Sequence, residues 1–258
     1  MQKMAGSGWL CRYGYLRSTE CREAGDPGQD YLTIEQDDRG LRFVICDGVS
    51  QSYYGNLAAK LVGDRLLSWL SAADEDLHED AKVRRQALDR YMRSLTSLAD
   101  TIVQQHRMPP HIQGLWRDVL TEKKDRGSAT MYCGGRIDFP RFTLPRGRLL
   151  IVWQGDIRCR IWNGAREETM CRLGERFDVR QQWNSKLGPL GDMPHVYEDQ
   201  LIHDEAGGEL LIYTDGLQVL DTLDRVLEKQ LSEYSVNEAM KPSSDDMSYI
   251  QVNWHFNM

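Results

Sequence analysis

The sequence predicts an α+β fold in which two antiparallel β-sheets pack as a sandwich, with α-helices flanking them. Short apolar segments rich in β-branched residues lie before and after a central block of helical periodicity, and do not alternate with helices along the chain. Turn signals at 37–40 and 163–164 favour hairpins between neighbouring strands. Because no internal repeat, low-complexity tract or linker interrupts the chain, residues 1–258 are predicted to form a single domain.

The predicted elements follow from composition and period. Strands are indicated where aromatic, aliphatic and β-branched residues cluster between turn residues, at 9–15, 31–34, 43–46, 128–133, 149–154, 158–162, 210–213 and 247–252. Helices are indicated where apolar residues recur every three or four positions, at about 57–70, 79–105, 111–123 and 217–234. The segments 17–28 and 172–200 are predicted to be loops because glycine and proline punctuate them, and the second is expected to be a surface flap.

The composition indicates an ordinary globular protein and excludes several classes. The apolar content is 41% and the net charge is −7, whereas a general nucleic-acid binder would carry a basic excess. No apolar run approaches the ~20 residues that cross a bilayer, so no membrane partner is expected. The six cysteines form no C-x-x-C pair and no cluster with histidine, which favours a reducing, cytoplasmic compartment.

Carboxylates stand at the ends of three apolar segments. D-G pairs beginning at Asp47 and Asp215 follow two of them, and a D-D pair beginning at Asp245 precedes the third; Asp30 stands just before another predicted strand. A lone Asp-Gly pair is more often a turn than a ligand. Carboxylates that converge repel one another unless a cation neutralises them, so together they predict a site for hard divalent cations such as Mg²⁺ or Mn²⁺. Two such ions can acidify a bridging water and clamp a phosphoryl group, so that no protein nucleophile is needed.

Six motifs spread over nearly the whole chain resemble, in their order and spacing, the metal-dependent protein phosphatase 2C family of Ser/Thr phosphatases, in its compact bacterial form. They are QD at 29–30, ICDGV at 45–49, DRGSAT at 125–130, GDIR at 155–158, YTDGL at 213–217 and DDMS at 245–248. The family fold is a β-sandwich flanked by helices, which agrees with the independent prediction from periodicity.

The resemblance implies a role for each matching residue. Asp47 would bridge two Mn²⁺ or Mg²⁺ ions, Asp215 would complete the first ion's ligands with Asp245, and Gly48 would lend its carbonyl. The remaining predicted ligands are Asp30 for the second ion and Asp125, which with Asp215 would hold a weaker third ion found in some members. Asp47 and Asp215 are the predicted catalytic residues.

Two departures from the family concern the substrate. Many members place an arginine shortly before the Gln-Asp pair to hold the phosphate; here Arg22 is favoured over Arg17, although either could be a solvated loop charge. The family histidine that often acts as a general acid is replaced at 49–52 by Val-Ser-Gln-Ser. Asp156 is predicted to be a turn residue paired with Arg158, and not a metal ligand.

The resemblance therefore implies a phosphoprotein phosphatase that hydrolyses phosphoserine or phosphothreonine through a metal-bridged water, with a paired Ser/Thr kinase as a further partner. Two alternatives stay open. A pseudophosphatase would keep the fold to bind a phosphoprotein or another partner, and a phosphatase for a small molecule or nucleotide would share all the chemistry. The segment 172–200 is expected to carry substrate selectivity, because loops on a rigid scaffold usually do.

Overall fold

The computed structural model describes residues 1–72, 80–174, 177–202, 207–241 and 244–256, and these ranges contain two antiparallel sheets. The strands are β1 (Gln2–Gly6), β2 (Trp9–Leu16), β3 (Tyr31–Asp37), β4 (Gly40–Gly48), β5 (Ala129–Asp138), β6 (Arg148–Gln154), β7 (Arg158–Asn163), β8 (Arg166–Glu167), β9 (Gln182–Asn184), β10 (Gly188–Leu190), β11 (His195–Gln200), β12 (Gly208–Tyr213) and β13 (Met247–Trp254). The first sheet has the order β1-β2-β13-β12-β7-β8. The second has the order β10-β9-β5-β4-β3, with β6 also paired to β5 and β11 paired to β6.

The helices lie outside the two sheets. They are α1 (Thr19–Ala24), α2 (Gly55–Ala72), α3 (Ala81–Ser94), α4 (Thr96–Gln105), α5 (Leu115–Arg126), α6 (Thr169–Arg172) and α7 (Glu228–Ala239), together with a 3₁₀ helix (Asp215–Thr222). In the described ranges, no helix is both long enough and apolar enough to cross a bilayer.

Three buried clusters hold these layers together. The largest lies between the sheets, where inward-facing residues such as Phe43, Trp153 and Ile212 meet. A second packs α2, α3 and α4 on the outer face of the second sheet, and a third packs the 3₁₀ helix and α7 on the first sheet. The result is the predicted sandwich of two antiparallel sheets with helices on both outer faces.

The prediction of one helix over 79–105 is wrong within the residues that the structure describes, which begin again at residue 80. The helical segment is divided at Leu95 into α3 and α4. In a continuous helix the carbonyl of Met92 would accept from the amide of Thr96. Instead the buried indole of Trp183, on β9, donates to that carbonyl over 2.9 Å, so a tertiary contact takes the bond that would have continued the helix.

The prediction of a helix over 217–234 is also wrong. The 3₁₀ helix ends at Thr222 and α7 begins only at Glu228. Arg160 of β7 binds the backbone here, donating to the carbonyl of Leu220 in the last turn of the 3₁₀ helix (3.0 Å) and to that of Asp224 between the two helices (3.3 Å). These carbonyls are therefore satisfied without a continuous helix.

Two predicted loops contain regular structure. The segment 172–200, of which 175–176 lie outside the described residues, includes β9, β10 and β11, and the whole of β11 pairs with β6. The segment 17–28 contains α1, whose start is capped by the Ser18 side chain accepting from the amide of Cys21. The helix predicted at 111–123 begins at Leu115 and ends at Arg126.

Candidate active site

A cavity of about 570 Å³ opens at one end of the sandwich, and four carboxylates line it. They are Asp47 from β4, Asp156 from the turn before β7, Asp215 from the start of the 3₁₀ helix and Asp245 from just before β13. Three of them are the residues that the sequence predicted as convergent ligands. Asp156 is the addition.

Asp47 is held by the pairing of β4 with β5. It lies opposite Met131 of β5, and the Thr130 hydroxyl donates to its carbonyl over 2.7 Å. Gly48 follows in close backbone contact with Gly55, the first residue of α2: a Cβ on Gly48 would lie 2.6 Å from the Gly55 carbonyl carbon. A larger residue at Gly48 would thus push α2 away from the site, and the glycine keeps the positive N-terminal end of α2 beside the carboxylates.

The pairing of β12 with β13 brings Asp215 and Asp245 to the same end of the sheet. Tyr213 lies opposite Tyr249, and the Thr214 amide donates to the carbonyl of Ser248 over 3.0 Å. Asp215 lies two residues after the end of β12, and Asp245 lies two residues before the start of β13. Antiparallel pairing therefore explains why a D-G pair and a D-D pair so far apart in sequence meet at one cavity.

Asp30 is buried and does not line this cavity, although its neighbour Gln29 does; Asp30 lines a different cavity of about 880 Å³. The Asp30 carboxylate accepts a hydrogen bond of 2.9 Å from the Thr214 hydroxyl, which itself accepts from the Ser248 amide. Asp30 is thus tied to the residue that precedes Asp215.

Asp246, which sequence reasoning left without a role, fixes the segment that carries Asp30. Its buried carboxylate accepts from the amide of Ser18 over 2.7 Å and from the amide of Gln29. The strand β13 is thereby connected to the start of α1 and to the Gln-Asp pair. The sequence did contain a signal for this role. Only Asp245 of the D-D pair was needed as a predicted metal ligand, so the second aspartate was left to be explained.

Electrostatics set this group apart from ordinary surface aspartates. Burial, and then the charges of neighbouring carboxylates led by Asp30 and Asp215, raise the pKa of Asp47 well above its usual range. Burial, followed by the charges of Asp245 and Asp156, also raises the pKa of Asp215, which Arg158 partly offsets. The carboxylates therefore destabilise one another's charged forms.

The donor set of the cavity, carboxylate oxygens with a backbone carbonyl at Gly48, is the one that hard divalent cations prefer. A cation would also relieve the mutual repulsion that raises these pKa values. Among the described residues, no group of three or more His, Cys, Asp or Glu side chains is arranged so that it could already hold a metal ion. The oxygen atoms that line the cavity suit a divalent cation, and the carboxylate side chains would have to move closer together to bind one.

Asp125 and Asp156 occupy different positions relative to the cavity. Asp125 is exposed in the last turn of α5 and does not line the cavity, whereas Asp156 does. The predicted pairing of Asp156 with Arg158 is present: Arg158 donates to the Asp156 carbonyl over 2.8 Å and pairs with its carboxylate at 3.2 Å. Asp156 is therefore the predicted turn residue, and it also lines the cavity.

The structure does not bring the predicted phosphate-binding arginine to the cavity. Arg22 donates to the Thr19 hydroxyl and to the backbone carbonyls of Ser18 and Ala239, beside α1 and α7. The alternative, Arg17, donates to the carbonyl of Asp26. The arginine that lines the cavity is Arg126, whose position directly before Gly127 in the DRGSAT motif was the available signal.

Of the comparisons with known proteins, the one with solved structures identifies the fold. Neither the protein-family models nor the curated proteins contain a match to this sequence. Among solved structures, the serine/threonine phosphatase Stp1 from Staphylococcus aureus is similar over 96% of this chain and 95% of its own, with 14% identity and a TM-score of 0.58. A bacterial serine phosphatase gives 96% and 98% coverage, 15% identity and a TM-score of 0.57.

RsbX, solved in complex with magnesium, is similar over 98% of both chains, with 13% identity and a TM-score of 0.56. The similarity to each of these three structures extends over nearly the full length of both chains, and it is a similarity of fold. The chain has the fold of the bacterial serine/threonine phosphatases, as its resemblance to the protein phosphatase 2C family implied.

Proposed function

We propose that this protein is a metal-dependent phosphatase that hydrolyses phosphoserine or phosphothreonine on a protein substrate. The observation that carries the proposal is the cavity in which four carboxylates converge, so that burial and neighbouring charge raise the pKa values of Asp47 and Asp215. Gathering charge of one sign is costly for a module that only binds a partner, because neighbouring carboxylates disfavour one another's ionised forms. On the fold of serine/threonine phosphatases, the same arrangement suits divalent ions that act on a phosphate ester.

Asp47, the Gly48 carbonyl, Asp215 and Asp245 would hold two Mn²⁺ or Mg²⁺ ions. When bound, such ions acidify water and neutralise phosphoryl oxygens, so hydrolysis needs no protein nucleophile. Asp30 does not line the cavity. It would add negative charge near the site, and the Thr214 hydroxyl would hold its carboxylate in place.

A weaker third ion would be held by Asp215 together with Asp156, in place of the predicted Asp125. Asp156 lines the same cavity as Asp215, and its charge raises the pKa of Asp215. Asp125 is exposed on α5 and does not line the cavity.

The chain's own residues keep the site in shape. Thr130 binds the Asp47 backbone, Gly48 admits α2, and Arg158 braces Asp156. A phosphorylated protein and its paired Ser/Thr kinase are the partners that this function requires. The six free cysteines suit a reducing, cytoplasmic location.

The test is hydrolysis of para-nitrophenyl phosphate as a function of Mn²⁺ and Mg²⁺ concentration, with a chelator control. We expect saturable turnover that the chelator abolishes and that added metal restores. Folded protein that shows no turnover at any metal concentration would refute the proposal and favour the pseudophosphatase, for which the distance of Arg22 from the cavity is the supporting observation.

A further inference from the structure

We propose that α5 is a docking element for the phosphoprotein substrate. An exposed apolar surface near its start, formed by Leu115, Trp116 and Val119 and called here the apolar face, would bind an apolar segment of the substrate. Arg126, at its end, would meet the phosphorylated side chain at the cavity. This inference rests on the proposed function and names a surface that selects the substrate.

The apolar face is unusually exposed for residues of its type. The exposed fraction is 78% for Leu115, 75% for Trp116 and 37% for Val119, and α5 contains no buried residue. Isolated exposed apolar residues are ordinary, but three neighbours on one helix form a contiguous patch, and such patches mark interaction sites. The helix gains little stability from packing, so its apolar residues are not explained by the core.

Two lysines fasten the end of α5 to the protein. The Lys124 ammonium donates to the carbonyls of Gln104 and His106, each over 2.9 Å, and the ammonium of Lys123 donates to the carbonyl of Ser50 over 3.1 Å. Lys124 is nine residues from Leu115, which at about 100° per residue places the two on opposite sides of the helix, whereas Lys123 lies on the same side as Trp116 and one turn beyond Val119. These contacts leave the apolar face exposed.

One stripe of the helix connects the apolar face with the cavity. Leu115, Val119, Glu122 and Arg126 follow one another at steps of four, three and four, so they lie along a single side of α5. Arg126 ends the stripe and lines the cavity, with 76% of its side chain exposed and an ion pair to Glu122. A ligand lying along this stripe would reach the carboxylates at one end and the apolar residues at the other.

The junction between α5 and the cavity is rigid. The Arg126 carbonyl accepts from the Asn184 side-chain amide over 3.2 Å. The next residue, Gly127, has a φ of +94°, and a Cβ there would lie 2.6 Å from the Ser185 hydroxyl. The apolar face is thus held at a constant distance from the site.

Charge complementarity identifies the occupant as a phosphorylated protein. Of the described residues that line the cavity, Arg126 is the one cation, against Asp47, Asp156, Asp215 and Asp245. A phosphate dianion approaching four carboxylates is repelled, and a guanidinium at the entrance offsets that repulsion and can bind the phosphate through two hydrogen bonds. A second copy of this chain would supply no such anion in a defined place.

Helix geometry gives the spacing that the substrate needs. Leu115 and Arg126 are eleven residues apart, or about 17 Å along the axis at ~1.5 Å per residue. An extended peptide covers this distance in about five residues at ~3.3 Å each. The apolar anchor should therefore lie about five residues from the phosphorylated residue.

The experiment compares two phosphoserine peptides of identical composition, with a Leu-Leu pair placed five residues or one residue from the phosphoserine. We expect the first peptide to have a KM about tenfold lower. The double variant Leu115→Ser/Trp116→Ser should abolish this advantage and leave the hydrolysis of para-nitrophenyl phosphate, which cannot span the helix, unchanged. The matched control is Phe142→Ser, because Phe142 is 101% exposed and lies in the turn after the far end of β5.

Arg126→Ala should raise the KM for both peptides and for para-nitrophenyl phosphate about tenfold, and Arg126→Lys should restore part of that loss. Binding of Mn²⁺, measured by calorimetry, should not weaken in Arg126→Ala, because the residue faces the phosphate and not the ion.

Equal KM values for the two peptides, in an enzyme that hydrolyses para-nitrophenyl phosphate, would overturn the docking role and leave the proposed function intact. Concentration-dependent dimers that the double variant abolishes would also overturn it, since a second copy would then cover the apolar face. Absence of para-nitrophenyl phosphate hydrolysis would contradict the proposed function itself. In that case the docking claim would be overturned unless the first peptide still bound more tightly than the second in a fluorescence-anisotropy titration.

Discussion

Two regions of this molecule bring several charged groups together, and they do so in opposite ways. At the far end of the second sheet, Asp138 is fully buried, and its two oxygens face Arg136 at 2.8 Å and Arg148 at 2.7 Å. Glu198, on β11, pairs in turn with Arg84 at 2.9 Å and with Arg148 at 3.4 Å. This ion network joins β5, β6, β11 and α3, and each carboxylate in it has a guanidinium partner.

The cavity carboxylates lack this balance. Asp47 and Asp215 are surrounded mainly by other carboxylates, and the pKa of each is raised. A paired buried charge is explained by structure, because removing a partner would leave the other charge uncompensated. In the cavity, Arg158 pairs with Asp156, and it is the one guanidinium paired with the four carboxylates among the described residues. This excess of negative charge has no such structural explanation, and it points to a cation from outside the chain.

The largest expected effect is on catalysis. Asp47→Asn should lower kcat for para-nitrophenyl phosphate by about 1000-fold or more, equivalent to ~4 kcal/mol, because it removes a carboxylate that would hold the proposed ions. Steady-state kinetics at saturating Mn²⁺ would measure it, with circular dichroism to verify folding. Turnover within threefold of the unsubstituted protein would contradict the role given to Asp47.

The second effect is on stability, in the paired cluster. Asp138→Asn should reduce the free energy of unfolding by about 3–5 kcal/mol, since it leaves Arg136 and Arg148 buried without their shared anion. Urea denaturation would measure the loss. Glu233→Gln is the control: it breaks an exposed helical pair with Lys229 at 3.6 Å and should cost less than ~0.5 kcal/mol. A loss no larger than that of the control would show that the network is not structural.

The third effect has the opposite sign and belongs to the cavity. In metal-free buffer at pH 7, Asp47→Asn should raise the melting temperature, by about 2–4 °C for each 1 kcal/mol of relieved repulsion. The pKa of Asp47 is higher in the folded state than in the unfolded chain, because of burial and then neighbouring charge, so the folded state binds the proton more tightly. The free energy of unfolding should therefore fall as the pH rises from about 4 through the raised folded pKa.

Asp47→Asn should flatten this pH dependence. Differential scanning calorimetry across pH would test both points. A lower melting temperature in the metal-free variant at pH 7 would argue against repulsion in the cavity.

The smallest effect distinguishes Asp156 from Asp125. Asp156→Asn should lower activity about tenfold at limiting Mn²⁺ and recover as Mn²⁺ is increased, because it would weaken only the third ion. Asp125→Asn, on the exposed end of α5, should leave the metal dependence unchanged. Activity assays over a range of Mn²⁺ would measure both, and the reverse ranking would restore the assignment made from the sequence.

The parts that the sequence predicted are those that depend on local pattern. The strands at Phe43 and Leu211 show in composition because both faces are buried, and the D-G pairs at their ends indicated the site. The break at Leu95 did not show, because a tryptophan about ninety positions away binds the Met92 carbonyl.

The same limit applied to the individual roles in the site. Arg22 and Arg126 look alike in the sequence, and only the tertiary fold turns one toward α7 and the other toward the cavity. Asp156 forms the predicted ion pair with Arg158. Its position near Asp215, however, depends on the pairing of β7 with β12, which the local sequence does not show.

Calorimetric titration of the metal-free protein with Mn²⁺ at pH 7 tests the central claim most directly. The account predicts saturable binding to the unsubstituted protein, loss of that binding in Asp47→Asn, and retention of it in the control variant Glu233→Gln. Folded protein that binds no Mn²⁺, or that binds it equally well after Asp47→Asn, would contradict the assignment of the cavity carboxylates to a metal site.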